Sequence, residues 1–258
     1  MNSPRMRAAN RIGEARESSL HASLKIRYAG IDGDTETSVG GYVCDALRAD
    51  GVLVEIQTGS FAPLKDKIPA LAKERAVRII HPVPRERIIE VREPDGTLIR
   101  SRKSPKKGSP WDLFAALVYA PLLPLVGRVS IEIAMTEETE TRKNDGKGSW
   151  RRKGVSIADR KLRAVRESIV LADIGDYRMF VPAELLEPFS AKDLAGSASI
   201  KADLARKALY VLTRIGIVER SGAKGNTKLY RRTAGKAETV KSLKGSKRSR
   251  PSPRLPKT

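Results

Sequence analysis

Apolar positions follow two periods along this chain, and the points where one gives way to the other mark out its elements. From Ile12 to Tyr28 the spacing is helical, with Leu20 and Leu24 four residues apart. Ser38–Leu47 and Val52–Gln57 read as strands. Phe61, Leu64, Ile68 and Leu71 return to helical spacing. Pro63 suits a first turn there, and Pro69 is expected to kink the helix or end it early. Val77–Val83 is a short apolar strand closed by Pro82 and Pro84. Helix, strands, helix, strand is the order of an α/β unit with one parallel crossover.

Beyond residue 85 the pattern is harder to read. Ile88–Val91 and Thr97–Arg100 flank Asp95-Gly96, a hairpin signal, and Arg100–Lys107 reads as a basic loop. Trp111–Ala120 looks helical, and Val129–Met135 alternates as a strand does. Thr136–Arg152 is dense in charge and predicts a loop or hairpin, and a helix is expected over Ala158–Glu167. Clearer punctuation returns at Ser190, an N-cap for a short helix over Ala191–Ala195 that Gly196 closes. Ser199 caps a longer helix, Ile200–Arg214, with Leu204, Ala208, Val211 and Leu212 along one face. Two strands follow, Ile217–Glu219 and Lys228–Arg231, joined by a basic turn.

Composition adds charge to this picture. The 258 residues hold 50 Lys+Arg against 30 Asp+Glu, a formal net charge of +20. The segment from Lys236 onward contains eight of the positive residues and one acid, so most of the excess lies in the body of the chain. Such an excess self-repels unless a polyanion is the partner, and DNA is the expected one. The single cysteine, Cys44, fits a reducing compartment, and a cytoplasmic location is expected. The longest apolar stretch, Leu113–Gly127, is interrupted by Pro121 and Pro124 and too short to span a bilayer, so no membrane partner is expected.

One stretch carries chemistry. In Tyr42–Gln57, Ala49-Asp50-Gly51 suits a three-residue hairpin loop with Gly51 left-handed. Counting outward, Arg48 opposes Val52, Leu47 opposes Leu53, Ala46 opposes Val54, and Asp45 opposes Glu55. Gln57 shares the face of Glu55, while Cys44, Ala46, Val52, Val54 and Ile56 make an apolar face. Two opposed carboxylates repel, and a raised pKa or a divalent cation would offset that repulsion.

This pattern resembles the PD-(D/E)XK, or restriction-endonuclease-like, nuclease superfamily over about residues 12–84. Its members place an Asp on one strand and Glu-x-Lys, sometimes Glu-x-Gln, on the next. Asp45 matches the first position and Glu55-Ile56-Gln57 the second. Gln57 stands where Lys is usual, and Cys44 where Pro is usual. The resemblance implies an αβββαβ core and Mg²⁺ or Mn²⁺ held by Asp45 and Glu55. It also implies a helix carboxylate, for which Glu17 is chosen and Glu14 is the rival. His21 and Lys65 are accessory candidates, and Lys67 begins the same helix as Lys65.

Residues 189–232 resemble a winged helix-turn-helix module. That resemblance implies DNA contacts from Lys201, Lys207 and Arg214 on the long helix and from Lys224, Asn226 and Lys228 in the wing. From Lys201 to Arg232 nine positive residues face only Asp203 and Glu219. The expected organisation is α+β overall: a polar arm (1–11), the nuclease-like core (12–85), an α+β middle region (86–186), the winged helix (187–232) and a disordered basic tail (233–258). The expected activity is metal-dependent DNA cleavage, with a homodimer compatible. The alternative is a non-catalytic DNA-binding regulator or scaffold on the same fold.

Overall fold

The structure, a computed structural model, describes residues 18–233. The expected start of the first helix at Ile12, the carboxylates Glu14 and Glu17, and the tail beyond Thr233 lie outside the described residues. The fold is α+β, built on a mixed seven-stranded sheet and a separate two-stranded one.

Helix α1 (Ser19–Ala29) is capped by Ser18, whose hydroxyl accepts from the His21 N–H. Strands β1 (Asp34–Val39), β2 (Tyr42–Leu47) and β3 (Leu53–Ile56) form an antiparallel meander. The single strand expected over Ser38–Leu47 is split at Gly40-Gly41, both at positive φ, so β1 is an element the apolar pattern missed. Its residues Asp34–Val39 bury little, which is why they leave no apolar signal. Helix α2 (Leu64–Glu74) then crosses to β4 (Val77–Arg92), which runs parallel to β3. Pro69 does not end α2. Its ring costs one hydrogen bond on a half-exposed flank, while Leu64, Ile68, Leu71 and Ala72 bury the opposite face.

Strand β4 runs through Pro82 and Pro84 and crosses the boundary expected at residue 85. The reason lies in its neighbours. Pairing with β3 ends at Ile80, and pairing with β5 (Leu98–Lys103) begins at Ile88, on the same edge. The Ile80 carbonyl accepts from Gln57 on that edge, so by alternation Pro82 and Pro84 turn toward the gap. There the N–H that proline lacks has no strand to meet.

On its other edge β4 pairs in parallel with β6 (Val129–Lys143), which forms a long antiparallel hairpin with β7 (Ser156–Leu171). The helix expected over Ala158–Glu167 is therefore strand. Three register shifts in the β6–β7 ladder break the strict two-residue alternation that would have announced it. Its pairing is carried instead by charge. Glu140, 1% exposed, meets Arg142 at 2.6 Å, Arg160 at 3.0 Å and Arg87 at 3.3 Å. Glu138 accepts from Arg87 at 2.9 Å and from the Thr136 hydroxyl at 2.8 Å. Between β5 and β6 lie a turn at Pro110–Asp112 and the short helix α3 (Leu113–Leu117).

A smaller core lies under α1, where Leu20 and Leu24 meet Ala46, Val54, Ile56 and Ile80. A larger core covers the other face. It runs from Leu53, Leu64 and Ile79 through Leu113 and Phe114 to α4 (Ala191–Ser197) and α5 (Ala202–Arg214). The C-terminal helices thus share the core of the sheet. Helix α4 continues through Gly196, and α5 starts after Lys201, two residues later than expected. Strands β8 (Val218–Lys224) and β9 (Thr227–Arg232) absorb most of the expected basic turn. Among the described residues no helix is long and apolar enough to cross a membrane.

Burial alone would raise the Glu140 carboxyl, but hydrogen bonds from Arg142 and Arg160 and the Arg87 charge outweigh it and hold the group below its usual range. Its contribution to stability is therefore complete above the ordinary glutamate pKa and fades as pH falls through the folded value. Glu140→Ala, which leaves three guanidinium groups facing a lost partner, should cost about 3 kcal/mol in a urea titration at neutral pH. The gap between parent and Glu140→Gln should narrow below about pH 4.3. A gap independent of pH would mean that the carboxylate charge contributes nothing.

Candidate functional site

The hairpin register is the one its loop dictates: Leu47 pairs with Leu53, and Ala46 with Val54. Gly51 has φ +82, and the Arg48 N–H donates to Val52 O at 3.0 Å. At the next position the ladder changes character. A carboxylate oxygen of Asp45 accepts the Ile56 N–H at 2.7 Å, taking a backbone donor for a side chain. Asp45 is also where β1 is irregular, because Glu36, between the pairs Thr35–Ala46 and Thr37–Cys44, has φ +56. Alternation along β2 is interrupted there. Cys44 joins the larger core with Leu53, while Ala46 stays in the smaller one with Val54 and Ile56. The single apolar face expected for all four is thus divided between the two cores.

Three elements converge on the acid pair. Helix α1 is pinned at its start by Asp159 of β7, which accepts from the Ser19 N–H at 3.0 Å and its hydroxyl at 2.6 Å. That docking brings His21 over the hairpin. Its Nε2 lies 3.0 Å from Ile56 O and 3.4 Å from Asp45 Oδ2. From the other side, Lys67 in the first turn of α2 reaches Glu55 Oε1 at 2.6 Å and donates to Val43 O at 2.7 Å. Glu55 is 4% exposed.

The electrostatics of the two carboxyls diverge. For Asp45, burial pulls upward, but the hydrogen bond and charge of His21, the Ile56 N–H and Lys67 together carry it below the usual aspartate range. For Glu55, burial dominates and raises it, Lys67 opposes, and the charge of Asp45 adds to the rise. The carboxylates therefore act on one another, with Lys67 felt by both. Burial, then the Glu55 charge, lifts the Cys44 thiol to about 11, so Cys44 is a small apolar residue here and not a nucleophile.

The remaining expected residues are placed as follows. Gln57 lies just past β3, its amide donates to Ser60 O at 2.5 Å, and its carbonyl accepts from His81 Nδ1 at 2.7 Å. It shapes the Gln57–Ser60 turn, and its side chain is committed to Ser60 O. His81 is buried, which pushes its pKa down. Lys65 is exposed and lines a groove with Tyr119, Leu122 and Tyr210. Two residues on a helix differ by about 200° in direction, so Lys65 and Lys67 cannot both face the sheet. Only the amphipathic phase of α2 could have singled out Lys67. Among the described residues, no group of three or more His, Cys, Asp or Glu could hold a metal ion. The hard-oxygen donors at the hairpin are thus two carboxylates and the Ile56 carbonyl.

At the C-terminal end, a groove of about 660 Å³ opens between α5 and the β8–β9 hairpin. Arg206, Tyr210, Arg214, Arg220, Asn226 and Lys228 are among its lining residues. Arg214, Asn226 and Lys228 are thereby brought together. Lys201 and Lys224 are exposed outside the groove lining, and Lys207 is turned to Asp203 at 2.9 Å, one helical turn back. Arg206 and Tyr210, exposed candidates on the same helix from the sequence, share this lining, whereas Arg220 was missed, because which part of the hairpin meets α5 depends on packing.

A family described as a domain of unknown function (DUF8091) matches residues 18–172. A protein of Treponema pallidum (strain Nichols), described as an uncharacterized protein, is 31% identical over 221 residues, spanning 86% of this chain and 87% of its own. No solved structure matches the chain. The matched span starts at the cap of α1 and ends just after β7, enclosing the whole seven-stranded sheet and the acid pair. On this evidence the chain belongs to the DUF8091 family.

Proposed function

We propose that the protein is a metal-dependent DNA endonuclease or closely related DNA-processing enzyme, with a restriction-endonuclease-like core and a C-terminal winged helix that positions it. The observation that carries this reading is that, where the β2–β3 ladder opens, Asp45 and Glu55 act on one another by charge and Lys67, ion-paired to Glu55, acts on both. The order helix, three-stranded meander, helix, parallel strand supports it.

The donor types are those that Mg²⁺ or Mn²⁺ takes. Asp45 and Glu55 supply carboxylate oxygens and Ile56 a carbonyl, all hard ligands, leaving further positions to water and phosphate. A carbonyl has two lone pairs, so Ile56 O can keep its contact with His21. Such an ion lowers the pKa of its water and offsets charge at an attacked phosphate. The chain's own residues do the rest. His21 and the Ile56 N–H keep Asp45 ionised. Lys67 holds Glu55 in place and supplies the cation that Gln57 cannot. Arg206, Arg214, Arg220 and Lys228 offer phosphate contacts in the groove beside α5.

A second reading, a DNA-binding regulator without cleavage, is favoured by one detail. Lys67 already lies 2.6 Å from Glu55, so the acid pair does not need a metal ion to be tolerated.

Incubation of the full chain with single-stranded, nicked and duplex DNA, with Mg²⁺, Mn²⁺ or chelator, separates the two. Cleavage should appear only with metal. It should fall by at least about a hundredfold in Asp45→Asn and Glu55→Gln and less in Lys67→Arg than in Lys67→Ala. Metal-independent binding with no cleavage of any form would establish the second reading. An Arg214→Ala, Lys228→Ala protein should bind duplex more weakly and with a salt slope shallower by about two. An unchanged slope would remove the groove from the interface.

A further inference from the structure

The β6–β7 hairpin ends in a loop, residues 144–155, that is tightly built and yet leaves its largest apolar side chain in solvent. Trp150 is 83% exposed. The loop is not loose. Asp145 accepts from the Lys147 N–H at 3.0 Å and from the Ser156 hydroxyl at 2.8 Å. The Gly148 N–H donates to Gly154 O at 2.7 Å, and any Cβ at Gly148 would lie 1.9 Å from Val155 O, so the two sides of the loop are in direct backbone contact. Arg152 Nε closes the turn on Val155 O at 3.1 Å. Burying a large apolar side chain is ordinarily favourable, and this loop forgoes it.

The surroundings of the indole point to a partner. Arg151 lies over its ring, 5.4 Å from the centroid. Lys147, Arg152 and Lys153 share the loop, whose one acid, Asp145, is engaged in its own turn. The tip lies beside that of the β4–β5 hairpin, since the Asn144 N–H donates to Arg92 O, and exposed β5 adds Arg100 and Arg102, set against Glu93 and Asp95 of that hairpin's turn. An exposed aromatic ring on a rigid support within a basic patch is the arrangement that stacks an unpaired base while cations track the phosphates.

We infer that the β6–β7 tip is a single-strand-binding element, with Trp150 stacking on a base and Lys147, Arg152 and Lys153 contacting the backbone. This surface is separate from the acid pair and from the groove beside α5, and the inference does not depend on either.

The chain has two tryptophans, and Trp111 packs against Phe114 and Phe180. Trp111→Phe keeps an aromatic ring there and leaves Trp150 as the sole indole reporter. Should that variant fold poorly, the difference in emission between the parent and Trp150→Phe gives the same signal. Oligothymidylate should quench Trp150 emission. Trp150→Ala should weaken oligothymidylate binding about tenfold, with Trp150→Phe retaining part of it and blunt duplex affinity changing less. Binding without quenching, or Trp150→Ala binding like the parent, would overturn the inference. So would equal losses on single strand and duplex. Polyglutamate, a polyanion without bases, should neither quench nor compete strongly. If it did both as well as oligothymidylate, the tip would be a site for acidic protein instead.

Discussion

One hydrogen bond organises the candidate site: the Ile56 N–H donated to the Asp45 carboxylate. In an uninterrupted antiparallel ladder that donor would meet a backbone carbonyl. With that donor taken by a side chain, the β2–β3 pairing ends at Ala46–Val54. The same bond also fixes one carboxylate at the mouth of the opening and helps keep it ionised although it is largely withdrawn from water. Around that point the other groups have little freedom. Lys67 bridges β2 and β3 by holding Val43 O and Glu55 together. His21 closes the opposite side because Asp159 ties the start of α1 to β7. The long β6–β7 hairpin therefore has a local role far from its tip, in setting where α1 lies.

The same sheet supports the basic surfaces. The larger core is continuous from Leu53 and Ile79 to Leu212 and Val218, so α5 and its hairpin are carried on the sheet. Buried glutamates on β6 hold arginines from β4, β6 and β7, which lets strands with few apolar residues pair far beyond the core. A large net positive charge is thus partly neutralised inside the molecule, while the cations of the tips and groove stay exposed. Such a surface suits a polyanionic partner.

Much of this was legible in the chain, and what was not has physical causes. The β2–β3 register followed from Gly51 and the length of its loop, because turn chemistry is local. The side on which Cys44 packs did not follow, since strict alternation would have put it with Ala46, whereas it joins the other core. Strand β4 appeared to stop at its prolines because a sequence does not show which edge of a strand lacks a neighbour. Strand β7 looked helical because Ala158, Leu162 and Val165 satisfy either period once register shifts intervene. At the site, counting placed the two acids on adjacent strands, but the direct opposition of Asp45 and Glu55 that it also predicted is not in the ladder, which ends at Ala46–Val54 because the Asp45 side chain takes the Ile56 N–H. The lysine could not be placed by counting, because Lys65 and Lys67 differ only in helical phase and α2 takes its phase from the core. Trp150 beside a basic run could be read from the sequence as a core residue or as one that stacks on a base, and only tertiary structure reveals that the loop closes without it and leaves it in solvent.

The central claim is that Asp45, Glu55 and the Ile56 carbonyl can share one divalent ion. Crystals of the full chain grown with Mn²⁺, with anomalous diffraction recorded at the manganese edge, test it without reference to activity. The account predicts a single strong peak within about 2.0–2.6 Å of oxygens from both carboxylates, absent in Glu55→Gln. Crystals with manganese bound elsewhere, or with Lys67 still joined to Glu55 and no ion at the hairpin at millimolar concentration, would contradict it.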